Sequence, residues 1–105
     1  MTIKTQLDIE EVVKKIVNGY NPEKIILFGS YVWGEPDEHS DYDLLIIKED
    51  KNNFFEDQSK IRRLVGRKAA IDVLIYTPDE ISNRLKLGDF FVSNIISKGK
   101  ILYEK

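Results

Sequence analysis

The order of elements legible in these 105 residues predicts an α+β fold, α/β in the looser sense, with a small mixed β-sheet and helices packed against it. Three observations predict it. Short apolar runs of strand length alternate with longer stretches in which apolar residues recur every three or four positions. The run at 25–28 is apolar without alternation, as in a strand covered on both faces, and a second apolar run stands at 44–47. Residues that start and stop helices fall between these segments.

Taken in order, Ile9, Val12, Val13, Ile16, Val17 and Tyr20 mark the apolar face of a first helix, with Glu10, Glu11, Lys14 and Lys15 mostly on the other side. Asp8 with Glu11 reads as its capping box, and Gly19 with Asn21-Pro22 as its stop. A strand over 24–28 follows, ended by Gly29, and 30–34 suffices for one helical turn. The polar loop 34–39 reverses the chain into a second strand over 43–48. After a charged loop, Phe54, Ile61, Leu64 and Val65 mark a helix running to about Gly66, and 70–76 is a third strand. Thr77-Pro78-Asp79-Glu80 is a cap, a proline at the first helical position and a glutamate at the third; Ile81, Leu85 and Leu87 continue that helix. Asp89 caps a further helix over 90–97, which Gly99 closes before a short strand at 101–103. No repeat or linker interrupts the pattern, so residues 1–105 read as a single domain.

Composition narrows the chemistry. A net charge of -2 supplies no basic field for a nucleic acid, which is therefore not expected as a direct partner. With no cysteine, thiolate metal sites are excluded, and a metal must sit on oxygen or on the single histidine, His39; oxygen ligands favour Mg²⁺, Mn²⁺ or Ca²⁺. A calcium loop starting at Asp41 fails, because Leu45 and Ile46 stand at its fifth and sixth positions. The first residues lack the apolar core of a signal peptide and no run is long enough to span a membrane, so the expected location is the cytoplasm.

Asp41 and Asp43, two apart where the second strand begins, belong to one face, and two carboxylates aimed at one point call for a cation or for water between them. Gly29-Ser30 lies where the helical turn begins, so backbone N–H groups and the Ser30 hydroxyl can grip phosphate oxygens. Asp72 enters the third strand as Asp43 enters the second. If those strands are neighbours, three carboxylates converge: two can bridge paired Mg²⁺ ions about 3.5–4 Å apart, and the third can act as a base or as a further ligand. The competing structural reading makes Asp41 part of a turn and pairs Asp72 with Arg67 or Lys68. The joint placement favours nucleotidyl transfer from a nucleoside triphosphate.

Gly29-Ser30, ten further residues, Asp41-Tyr42-Asp43, and Asp72 on the next strand resemble the signature of the DNA polymerase β-like nucleotidyltransferase superfamily, with the closest likeness to its minimal prokaryotic members, the MNT-type antitoxins. The resemblance implies a polymerase β-like palm with two Mg²⁺ ions, replaceable by Mn²⁺, on Asp41, Asp43 and Asp72, and the triphosphate of ATP at Gly29 and Ser30. It implies transfer of AMP to a tyrosine of a separately encoded helical HEPN-type toxin. Many relatives read Gly-Ser-x-Ala-Arg-Gly, where this chain has Trp33 in place of the arginine. Arg62, Arg63, Arg67 and Lys68 are candidates to replace that charge, though a solvated helix end is the simpler expectation. The alternative function is a binding module that neutralises its partner by contact; transfer to a small molecule or nucleic acid end is a third. Phe90-Phe91 and Ile95-Ile96 give the last helix more apolar surface than one face needs, which points to a partner or to self-association.

Overall fold

The structure, a computed structural model, describes residues 5–36, 41–66 and 69–105, with side chains from residue 9 onward. Helix α1 (Thr5–Tyr20) leads into β1 (Lys24–Phe28), the single turn α2 (Ser30–Trp33) and β2 (Tyr42–Ile47). Then come α3 (Phe54–Val65), β3 (Ile71–Tyr76), α4 (Pro78–Lys86), α5 (Phe90–Lys98) and β4 (Lys100–Glu104). The sheet order is β3-β2-β1-β4. β1 is antiparallel to both β2 and β4, whereas β2 and β3 are parallel, so the sheet is mixed as expected.

The unbroken apolar runs of β1 and β2 are explained by the two layers of helix around them. On one face, Ile9, Val12, Ile16 and Tyr20 of α1 and Ile61 and Val65 of α3 pack on Ile25, Leu27, Leu44, Ile46 and Val73. On the other, Ile81 of α4 and Val92 and Ile95 of α5 cover Ile26, Phe28, Leu45 and Ile47. β3 is an outer strand and alternates between buried and more exposed positions, as a strand does when its second face is only partly covered. Among the described residues no helix is long and apolar enough to cross a membrane.

Several local expectations change. α1 begins at Thr5, so Asp8 lies within the helix and not at its start. Gly19 is likewise inside α1. The helix ends through Asn21, whose φ of 55° supplies the left-handed residue, and Gly19 is small because Leu64 of α3 packs against it, where a Cβ would come within 2.8 Å of Cδ1. Leu85 and Leu87 do not join the core: both are exposed, and only Ile81 of the apolar trio in that region is buried. The cap at Thr77 is as expected, with Glu80 N–H donating to Thr77 Oγ1 at 3.0 Å and Thr77 N–H to Glu80 Oε1 at 2.9 Å. Asp89 caps α5 through Val92 N–H at 3.1 Å.

A buried carboxylate ties the two helices of the first layer together. Asp57 of α3 accepts from the Tyr20 hydroxyl at 2.8 Å and from Asn52 N–H at 3.0 Å, so the charge is solvated by protein donors. Burial and the neighbouring Asp57 raise the pKa of the Tyr20 hydroxyl and keep it the donor.

Candidate active site

The candidate residues gather at the end of the sheet where β1 finishes and β2 and β3 begin. In register, Phe28 of β1 stands opposite Asp43 of β2, and Asp43 stands opposite Asp72 of β3. Alternation puts this row on the face that α4 and α5 cover farther along. Neighbouring strands lie about 4.7–4.9 Å apart, and these two residues are paired in the parallel β2–β3 register on one face, so the Asp43 and Asp72 carboxylates are neighbours. Asp41 has the parity of the same face but lies one residue before β2, exposed.

The two ladder-paired aspartates are thus brought together, with Asp41 beside them. Among the described residues, no three acidic, histidine or cysteine side chains form a closed metal cage as they stand. His39, and the Arg67 and Lys68 considered as partners of Asp72, lie outside the described residues. Electrostatics nevertheless joins the three: the Asp43 carboxyl is raised above its ordinary pKa, first by burial and then by the charges of Asp72 and Asp41. Like charges at this spacing repel, and a cation between them reverses the sign of the interaction. The donor set is all oxygen, which fits a hard divalent cation such as Mg²⁺.

Gly29 makes room for this carboxylate. At φ 82° and ψ -152° it occupies a region that is essentially glycine's alone, and a Cβ built there would run into Asp43 Oδ2 and lie 3.0 Å from Cγ. Its carbonyl accepts from Val32 N–H at 2.9 Å and Trp33 N–H at 3.0 Å, which closes α2 with Ser30 at its head. Tyr31 of α2 stacks on Tyr42 of β2 with ring centroids 4.3 Å apart, so the turn is fastened to the strand that carries Asp43. Gly29 and Ser30 therefore stand on the β1 side of Asp43, and Asp72 on the β3 side.

Trp33 is half exposed, its ring centroid 6.2 Å from Phe28; Phe91 of α5 meets the same Phe28 edge-on at 5.7 Å. An aromatic cluster thus borders the carboxylates where the common arginine would stand. Arg62 plays a part that sequence reasoning missed. It donates to the carbonyls of Gly66 at 3.3 Å, Ala69 at 2.7 Å and Ile71 at 3.1 Å, and so pins the segment leading into β3 immediately before Asp72. Only its place in the last turn before Gly66 hinted at this, and that place equally suits a solvated cation. Phe90, Phe91 and Ile96 of α5 are exposed, as the surplus of apolar residues suggested.

The family described as "Polymerase beta, Nucleotidyltransferase" matches residues 10–105 of this chain. A Methanocaldococcus jannaschii protein named "Putative protein adenylyltransferase" is 30% identical over 100 residues, covering 90% of this chain and 97% of its own length. Among solved structures, a Sulfolobus solfataricus "putative nucleotidyltransferase" superposes with a TM-score of 0.66 at 16% identity, over 94% of this chain and 79% of the other. A toxin-antitoxin crystallised with AMP-PNP gives a TM-score of 0.59 at 18% identity, over 93% of this chain and 73% of the other. Both structural likenesses concern the fold.

Proposed function

This chain belongs to the polymerase β nucleotidyltransferase family, and from that premise we propose that it is a single minimal domain that transfers AMP from ATP to a tyrosine hydroxyl of a partner protein in the cytoplasm. The partner is a HEPN-type helical toxin, and this chain is its antitoxin. The observation that carries the reading is the row of Asp43 and Asp72 in register, beside a glycine that leaves space for the Asp43 carboxylate. The adenylyltransferase name of the Methanocaldococcus jannaschii relative and the toxin-antitoxin description of a structural neighbour support it.

Asp41, Asp43 and Asp72 would hold two Mg²⁺ ions, with Mn²⁺ as a substitute. Bound there, the ions supply charge neutralisation of the triphosphate and of the attacking oxygen. Gly29 and Ser30 hold the β- and γ-phosphates through backbone amides and the Ser30 hydroxyl. The acceptor oxygen forms a bond to the α-phosphorus as the bond to the bridging oxygen of pyrophosphate breaks. Pyrophosphate leaves with the electron pair, and the hydroxyl proton passes to Asp72.

A second reading is favoured by Trp33: the half-exposed ring stands where an arginine would add charge, and a domain without transfer activity can still neutralise its partner by contact. Intact mass of both chains after incubation with the neighbouring-gene product, Mg²⁺ and ATP separates the two. The expected result is a gain of one or more AMP units on the partner, abolished by Asp43→Ala. Binding of the two chains without any mass change would overturn transfer in favour of contact.

A further inference from the structure

In-line displacement requires the acceptor hydroxyl to reach the α-phosphorus from the side opposite the leaving pyrophosphate. With the triphosphate tail on the β1 side of Asp43, that approach lies on the β3 side. There a groove of about 650 Å³ opens between α3 and β3, and Phe55, Ser59, Arg62, Arg63, Asp72 and Val73 are among its lining residues. Of the carboxylate row only Asp72 lines it, because the row faces α4 and α5 while the groove lies on the α3 side. A strand added along the β3 edge presents alternate side chains to both faces and so spans the two.

The strand beside it is an edge on which, among the described residues, one position has outward backbone groups without a partner. The carbonyls of Ala70 and Tyr76 accept from the Tyr42 and Lys48 amides on the β2 side. By alternation, the backbone groups of Ile71, Val73 and Ile75 point away from the sheet. The outward carbonyl of Ile71 accepts from Arg62 at 3.1 Å and that of Ile75 from Lys51 at 3.3 Å. Val73, between them and lining the groove, is left as the position where another strand can pair. The charge of the groove is also one-sided: among its described lining residues are two arginines, and the only acid is Asp72. Phe55, 79% exposed, stands on its rim as an apolar contact.

We propose that this groove is the acceptor site, and that its occupant is an extended, acidic, hydroxyl-bearing segment of a second protein, which pairs with β3 at Val73 and sets its hydroxyl beside Asp72. The inference rests on the transfer reading above and adds to it the chemistry of the acceptor.

The test uses the full chain with Mg²⁺ and α-labelled ATP, and two end-blocked peptides, Glu-Glu-Tyr-Glu-Glu and Lys-Lys-Tyr-Lys-Lys. Amide chemical shifts report where each peptide binds, and label on the peptide reports transfer. For the acidic peptide the expected shifts cluster at Phe55, Ser59, Arg63 and Val73, with affinity about two- to fivefold above the basic one, the range one exposed charge contact supplies. Arg63→Glu, a change at an exposed side chain outside the carboxylate row, reverses that preference. Equal affinity for the two peptides, shifts centred on Phe91 of α5, or no binding at all would overturn the proposal. Groove binding without label counts against the transfer reading and not against docking; transfer unaffected by Arg63→Glu counts against docking and not against transfer.

Discussion

Asp43 sits half-buried beside Asp72 and within reach of the Asp41 charge, and its proton is held more tightly than in a free carboxylate. Because the folded-state pKa lies above the ordinary value of 3.8, the stability linked to this proton is fully present below that value and is lost as pH rises through the folded pKa. At neutral pH the ionised side chain therefore destabilises the metal-free domain. Asp43→Asn keeps the shape and removes the charge, so it is expected to raise the melting temperature of metal-free protein at pH 7 and to give no gain below pH 3.8. The same substitution is expected to lower transfer by at least about 10²-fold. Thermal scans at the two pH values and label transfer check both halves. The pairing of Asp41 with Asp43 was legible in the sequence because strand alternation is local. That Asp72 is the closer partner of Asp43 was conditional on strand order, which no local pattern contains.

At the scale of elements, two devices hold β3 in place, and the proposed site uses only one of them. Arg62 ties the carbonyls of Gly66, Ala69 and Ile71 to α3 at the start of the strand. Thr77 and Glu80 form the capping box at its far end. Arg62→Met retains the apolar stem and loses the three donated bonds, at an expected cost of about 2–3 kcal/mol together with a drop in transfer as Asp72 loses its support. Thr77→Ala is expected to cost about 1 kcal/mol and to leave transfer unchanged. Urea midpoints and label transfer on both variants distinguish positioning from stability alone. The Thr77 cap could be read from four consecutive residues, since a cap is made by its own neighbours. Arg62 could not, because its acceptors lie up to nine positions away. Gly19 shows the same limit from the other side: its composition suggested a stop, and the side chain of Leu64 on another helix explains it better.

For the whole molecule, a ligand held by residues on two strands at one end of the sheet stabilises the domain as a unit, since a species that binds only the folded state shifts global unfolding. Mg²⁺ at about a hundred times its dissociation constant is expected to add about 2.7 kcal/mol to wild-type protein and close to nothing to Asp43→Asn; a thermal-shift titration checks it. The sequence by itself determined the strands and helices from hydrophobic period, most caps from local hydrogen-bonding chemistry, and the candidates Gly29, Ser30, Asp41, Asp43 and Asp72 from their positions at element ends. These are short-range properties, and neighbouring residues suffice to encode them. The tertiary structure decided the β3-β2-β1-β4 order that sets Asp72 beside Asp43, the positions of Gly29 and Arg62 around that pair, and the groove along β3. Each of these depends on contacts between residues far apart in the chain, and such contacts exist only once the two helical layers have closed on the sheet.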